Sequence, residues 1–339
     1  MDASSLEESL RKASGLPVTV TRATPLAGGA SMETWAIDAT VDGRPERLVL
    51  RRDMAVNMYA QALTRAQEFH LLEAVYAAGV KAPRPRWLHA REAEGDRAFF
   101  VMDRVDGESV GRKVVRLPEL AAARAVMARE MGAELAKIHA VKLTERLDFL
   151  SRPPDGMSAC AESLRSTRVI AEGLARHNPV WTLALRWLSQ RLPDEGRRPR
   201  VLVHGDYRVG NLLVAPSGLA AVIDWEFSHV GDIHEDLAWP TMRDWRFEHD
   251  ALTVGGVGTL EDFHAGYREA GGAEIDPRAL AWWEVLGNLR WSVMCHAQAE
   301  RHLSGRDPSV EYASLGRKSA ELEWEILNLL EGHAREKTL

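Results

Sequence analysis

Two apolar segments in the middle of the chain, Val201 to Val214 and Leu219 to Ile223, read as β-like runs on either side of a Pro216-Ser217-Gly218 turn. His204-Gly205-Asp206-Tyr207-Arg208-Val209-Gly210-Asn211 interrupts the first run, and the second leads directly into Asp224. Apolar strands belong in a core, where an unpaired charge is costly, so these polar residues must gather where the strands open into a cleft. An Asp and an Asn five residues apart on one loop can point into that cleft, while a neighbouring strand delivers a second Asp thirteen residues after the Asn. Asp206 then offers a carboxylate able to orient a hydroxyl and take its proton. Asn211 and Asp224 offer hard oxygen ligands suited to Mg²⁺. Singly, Asp206 could form a turn and Asn211 could cap a helix, but the joint spacing argues against both readings. His204 stands in the same loop, where its expected part is to brace the backbone.

The rest of the chain predicts an α+β protein with two parts. Ser5 and Glu8 resemble a capping box opening a short helix that Gly15 closes. Val18 to Val20, Thr34 to Ala39 and Arg47 to Leu50 read as strands, separated by Gly28-Gly29-Ala30-Ser31 and by the hairpin pair Asp42-Gly43. An antiparallel meander is the economical arrangement. Helical spacing follows from Asn57 to Ala78, ended by Gly79 and the breakers Pro83 and Pro85. Trp87 to His89 and Ala98 to Val101, around Glu94-Gly95-Asp96, complete a small lobe over residues 1–105. Residues 106–339 are predicted mostly helical, with amphipathic helices over Glu119 to Ala140 and Ala159 to Gln190.

Composition narrows the function classes. A net charge of −6 and dispersed basic residues argue against a nucleic-acid partner. Arg197, Arg198 and Arg200 cluster, and read as a solvated turn. The longest apolar runs fall far short of the roughly 20 residues that cross a bilayer, so no membrane partner is expected. Met1 to Leu16 has no basic-then-apolar order, and cytoplasmic residence is the expectation. Two distant cysteines, Cys160 and Cys295, suggest neither a disulfide framework nor a zinc site.

His204-x-Asp206-x-x-x-x-Asn211 followed by Ile223-Asp224 resembles the aminoglycoside phosphotransferase and choline kinase family, relatives of the protein kinases. Similar features run in order from about Leu26 to Trp239, including Phe99 to Gly107 and Gly231-Asp232-x-x-x-Asp236-Leu237-Ala238. The resemblance implies a two-lobed protein-kinase-like fold that transfers a phosphoryl group from ATP, or GTP, with Mg²⁺. It implies Asp206 as base with His204 bracing its loop, and Asn211 and Asp224 as metal ligands. It places the backbone of Gly28, Gly29, Ala30 and Ser31 at the phosphates, and Val101, Met102, Asp103 and Arg104 at the purine. It pairs Arg51, at the end of the third strand, with Glu68 on the following helix. Arg52 is adjacent and points to the opposite face, which leaves the assignment open by one residue. Asp232 and Asp236 are expected to brace the metal-binding loop.

The implied acceptor is a hydroxyl of a small molecule. Trp239, Trp245, Trp282, Trp283 and Trp291, interspersed with Glu226, Glu235 and Asp244, could wall a site for a cation, or could be core. Leu50-Arg51, Phe100 to Arg104 and Val222 to Glu226 most resemble the branch of kinase modules fused to acyl-CoA dehydrogenases, which implies a hydroxyacyl-CoA-like acceptor. Aminoglycoside, macrolide and choline-like amine acceptors are the alternatives within the family. A protein kinase would carry an Ala-Pro-Glu-like anchor after Asp224, where this chain has Gly231 to Trp239. A non-catalytic nucleotide-binding module should lack one of Asp206, Asn211 and Asp224, and all three are present.

Overall fold

The computed structural model describes residues 3–26, 32–53, 62–90, 97–174, 177–196 and 198–336. Helix α1 (Ala3–Ser14) leads into strands β1 (Val18–Pro25), β2 (Met32–Val41) and β3 (Arg44–Asp53), then helix α2 (Arg65–Ala77) and strands β4 (Pro85–His89) and β5 (Phe99–Asp103). The five strands form one antiparallel sheet in the order β1-β2-β3-β5-β4. Asp42 and Gly43 both have positive φ, 47° and 76°, the geometry a tight two-residue hairpin requires between β2 and β3.

Alternation along β3 decides what each face does. Leu48 and Leu50 join Ile37, Phe99 and Val101 beneath Leu6 and Leu10 of α1. Val49 points the other way, with Phe100 and Met102, against Phe69, Leu72 and Val75 of α2. Residue 51 therefore continues the α2 face and residue 52 the α1 face.

Three local expectations shift. Ser5 lies inside α1 rather than capping it, although Gly15, at φ 67°, does close the helix. Helix α2 starts at Arg65 rather than near Asn57, because Thr64 and Gln67 form the capping box that fixes its first turn. Gly28, Gly29, Ala30 and Ser31 lie outside the described residues, as do Glu94-Gly95-Asp96 and residues 57–61.

Beyond β5 come α3 (Gly111–Arg116), α4 (Ala121–His139), α5 (Ala159–Gly173) and α6 (Pro179–Gln190). The helical stretch expected from Ala159 to Gln190 is thus two helices. Pro179 starts the second, and the Asn178 side chain caps it by accepting from the Val180 and Trp181 N–H groups at 3.0 and 3.2 Å. Arg200 ties to the carbonyls of Pro153 and Met157, and Arg198 to that of Asp194, so these two are tethers rather than a solvated turn.

The central strands are shorter than their apolar runs. β6 (Val201–Val203) pairs with β9 (His229–Gly231), and β7 (Leu212–Ala215) forms a hairpin with β8 (Gly218–Val222). Helices α7 (Ile233–Ala238), α8 (Leu260–Glu269), α9 (Pro277–Leu303) and α10 (Val310–Glu336) complete the chain. Gly132 of α4 and Gly266 of α8 let those helices approach closely, since a Cβ on either would fall on the other helix's backbone. Trp282 and Trp283 are fully buried between α9, α5 and α6, which makes them core. Cys160 and Cys295 are buried and unpaired. Among the described residues no helix is long and apolar enough to cross a membrane.

Candidate functional site

The loop 204–211 joins β6 to β7, and buried partners hold it at several points. Both oxygens of the fully buried Asp236 accept backbone N–H groups, from His204 at 2.7 Å and Gly205 at 3.0 Å. Gly205 has φ 82°, and a Cβ there would fall on the Phe227 carbonyl oxygen, so the turn needs glycine. Tyr207 runs into the core and donates to the Met131 carbonyl at 2.8 Å. The buried His204 ring accepts the Asp206 N–H at Nδ1, 3.3 Å, which places its proton on Nε2, 3.1 Å from the Ile223 carbonyl. The ring thereby ties the Asp206 loop to the residue before Asp224. Asp232 caps α7 by accepting the His234 N–H at 2.8 Å.

Asp206 is held by three donors. Arg208 Nε reaches its two oxygens at 3.0 and 3.2 Å, Asn211 Nδ2 one of them at 2.6 Å, and Trp239 Nε1 the other at 2.7 Å. Its side chain remains 15 % exposed, facing the cleft. Asn211 Nδ2 also meets the Asp206 carbonyl at 2.9 Å, so the Asn211 amide oxygen is the atom left to face a cation. The Ile223 N–H donates to the Asn211 carbonyl at 3.0 Å, bringing the Asn211 and Asp224 segments side by side.

From the sheet, Arg51 enters the same cleft. Its guanidinium meets Glu68 at 2.6 Å and Asp224 at 2.8 Å. Arg52 points to the other face and pairs with Glu33 at 2.6 Å, so Arg51 is the one of the two that meets Glu68 and Asp224. Glu68, 1 % exposed, is also bound by Arg65, which in turn meets Asp53 at 3.0 Å. Asp224 sits at φ 68°, a left-handed conformation unusual for a non-glycine residue, with its side chain 30 % exposed. Burial works to raise its carboxyl, but the Arg51 guanidinium holds it below the usual carboxylate range. Glu226, two residues on and buried, is pushed up to about 8, first by burial and then by the Asp224 carboxylate.

Val101, Met102 and Asp103 end β5, and Arg104 follows it. The strand lies between β3 and β4, and Val101 and Met102 pair with both. The Asp103 and Arg104 N–H groups donate to the carbonyls of Arg84 and Arg47, so the first N–H groups beyond these sheet bonds belong to Val105 and Asp106. The structure thus gathers Asp206, His204, Asn211, Asp224, Arg51 and Glu68, while Val101 to Asp103 lie in β5, one strand over from Arg51 of β3.

Three residues that reach Asp206 or Glu68 have no place there on sequence grounds: Arg65, Arg208 and Trp239. Arg208 stands at a place the motif leaves unspecified, and Trp239 lies 33 residues from Asp206, so only folding reveals their contacts.

The sequence matches the phosphotransferase enzyme family over residues 22–283. It is 26 % identical over 299 residues to acyl-CoA dehydrogenase family member 10 of Mus musculus, covering 83 % of this chain and 27 % of that protein. The chain spans about a quarter to a third of the length of the curated relatives of this kind. An amicoumacin kinase in complex with AMP-PNP and Ca²⁺ superposes with a TM-score of 0.65 at 14 % identity, covering 96 % of this chain and 94 % of that one. A spectinomycin phosphotransferase in complex with ADP and spectinomycin gives 0.61 at 16 %, covering 96 % and 98 %. At these identities the structural likeness establishes the fold, which is kinase-like and two-lobed.

Proposed function

The chain belongs to the phosphotransferase enzyme family, and from that premise we propose that it moves the γ-phosphate of ATP, with GTP as an alternative donor, to a hydroxyl of a small molecule. The observation that carries this reading is the convergence of Asp206, Asn211 and Asp224 on one cleft, with Arg51 reaching Asp224 from the sheet. Residues 1–105 are taken as the nucleotide-binding lobe and 106–339 as the catalytic and acceptor-binding lobe.

Asp206 orients the acceptor hydroxyl and receives its proton. The three donors on its carboxylate fix the rotamer, and the lone pairs they leave can accept that hydroxyl. The acceptor oxygen forms a bond to the γ-phosphorus as the bond from that phosphorus to the β-phosphate oxygen breaks, and the nucleoside diphosphate leaves. Phosphoryl transfer asks mostly for such positioning and for charge stabilisation. Arg51, anchored by Glu68, supplies positive charge toward the phosphates; the part that the family resemblance gives Gly28 to Ser31 falls on residues outside the described ones.

Asn211, through its amide oxygen, and Asp224, through its carboxylate, would hold Mg²⁺, which when bound neutralises charge on the phosphate oxygens. The donor set fits that ion. Among the described residues no three His, Cys, Asp or Glu side chains cluster as a metal cage, and Mg²⁺ is usually held by one or two protein oxygens with phosphates and water completing its shell.

A hydroxyacyl-CoA-like compound is the preferred acceptor, on the likeness to the acyl-CoA dehydrogenase family members. The test is nucleotide consumption against hydroxyacyl-CoA thioesters, aminoglycosides, macrolides, choline-like amines and sugars, followed by Asp206→Asn. That substitution should lower kcat by on the order of 10² or more and leave nucleotide Kd within roughly threefold. Near-normal turnover in the folded variant would remove Asp206 from the mechanism.

A further inference from the structure

We propose that Arg208 selects the acceptor, and that it selects one carrying an anionic group, a carboxylate or a phosphate, a few atoms from the reacting hydroxyl. This rests on the phosphotransfer reading above but not on its thioester acceptor: a hydroxyacyl thioester has no charge near its hydroxyl, so the inference replaces it with the free hydroxy acid or a phosphate ester.

The wall beside Asp206 consists of tryptophans whose faces already hold cations. Arg208 lies over the Trp245 ring, 4.7 Å from its centroid, and Arg290 lies over Trp239 at 4.9 Å. The two rings pack together at 5.7 Å, and Trp239 donates to Asp206. An ammonium acceptor seeking an aromatic face here would compete with a guanidinium of the protein. The acidic side chains of the same region are engaged as well. Glu235 pairs with Arg290 at 2.5 Å and His229 at 3.1 Å, and Asp244 accepts from Lys318 at 2.5 Å and Trp291 at 2.8 Å. Glu226 is buried behind Asp224. The features that suggested a cationic acceptor from sequence are therefore consumed by internal pairing.

Arg208 itself has donors to spare. Its Nε is bound to Asp206, while its two terminal nitrogens carry no hydrogen bond among the described residues, and its side chain is 27 % exposed. Pinned at Nε and stacked on Trp245, the guanidinium is held in one plane before any ligand arrives, which reduces the entropy lost on binding. Gly210 leaves room for it, since a Cβ there would fall on Nη1. Two parallel N–H donors match the two oxygens of a carboxylate or phosphate. Because Nε and the terminal nitrogens share one rigid group, an anion held at the latter sits a few atoms from a hydroxyl held at Asp206.

The experiment follows tryptophan fluorescence of the full chain loaded with Mg²⁺ and AMP-PNP, since Trp239 and Trp245 flank the site. The probes are 3-hydroxybutyrate, glycerol 3-phosphate, glycerol and choline, titrated into the wild type, Arg208→Gln and Arg208→Lys. At least one anion should bind at millimolar concentration, about tenfold or more tighter than glycerol or choline, as expected for a charge-assisted pair. Whichever of the two anions binds distinguishes a carboxylate from a phosphate. The preference should vanish in Arg208→Gln and weaken in Arg208→Lys, which keeps the charge and loses the fork. AMP-PNP binding in the same preparations reports an intact cleft. If the wild type does not bind AMP-PNP, the phosphotransferase reading fails. If it does, the inference alone is overturned by choline binding tighter than both anions, by neither anion binding, or by an anion preference that survives in Arg208→Gln.

Discussion

Asp236 shows how one side chain outside the chemistry can hold the chemistry in place. Fully buried, it accepts the N–H groups of His204 and Gly205 and also lies 3.4 Å from His139 Nε2. Asp236→Ala would leave the buried His204 donor without a partner, at about 1–3 kcal/mol, and the half-buried Gly205 donor as well, at less. Urea denaturation should therefore show a loss of about 2 kcal/mol or more, with turnover falling in the fraction that remains folded. Asp236→Asn keeps the volume and one accepting oxygen, and should lose less. Equal stability of Asp236→Ala and the wild type would mean that the loop is held by Tyr207 and the His204 ring alone.

Among the elements, α2 matters because it delivers Glu68 to Arg51. Its first turn is fixed by the Thr64 capping box, with Gln67 Oε1 accepting the Thr64 N–H at 2.9 Å and Thr64 Oγ1 accepting the Gln67 N–H at 3.3 Å. The Leu63 N–H, just before the cap, donates to the Glu226 carbonyl at 2.8 Å, so the helix start is tied to the Asp224 segment. Thr64→Ala should cost about 1 kcal/mol in a thermal or denaturant melt. It should also weaken nucleotide binding, because Glu68 lies in that first turn. A stability loss with unchanged nucleotide Kd would show that Arg65 keeps Glu68 in position without the cap.

On the scale of the whole molecule, His229 of β9, Glu235 of α7 and Arg290 of α9 tie three elements of the helical lobe together. Burial works to lower the His229 ring, but the adjacent Glu235 carboxylate raises it above the ordinary 6.5. The folded chain thus binds that proton more tightly than the unfolded chain. The resulting stability is complete below the unfolded value and is lost as pH rises through the raised folded one. Glu235 has the opposite sense: burial works to raise it, His229 and Arg290 hold it at about 2, and its contribution is complete above 4.5 and is lost as pH falls through about 2. The two together favour the window between 4.5 and 6.5. The melting temperature should fall from about pH 6 to about pH 8.5, and the fall should shrink in His229→Gln. An unchanged slope in that variant would assign the pH dependence elsewhere.

What the sequence determined by itself was local in origin. Period-two alternation placed the strands of the first sheet, and Asp42-Gly43 and Gly79 marked a hairpin and a helix end because few other residues tolerate their positive φ of 47°, 76° and 79°. The spacing of Asp206, Asn211 and Asp224 was legible because one loop and one hairpin carry all three. Helix starts were less so: periodicity continued upstream of Arg65 and across the Pro179 break, where capping side chains rather than apolar spacing set the boundary. Only the tertiary structure decided which arginine faces the cleft, since that depends on which face of β3 the helix α2 covers. It also decided that Trp282 and Trp283 are core while Trp239 touches Asp206, and that Glu235 and Asp244 are paired internally. Those partners lie 33 to 74 residues apart, apart from the near neighbour His229. A hydrogen bond or ion pair acts over a few ångströms of space, and no short-range pattern in a chain records which distant segment packing will bring within that reach.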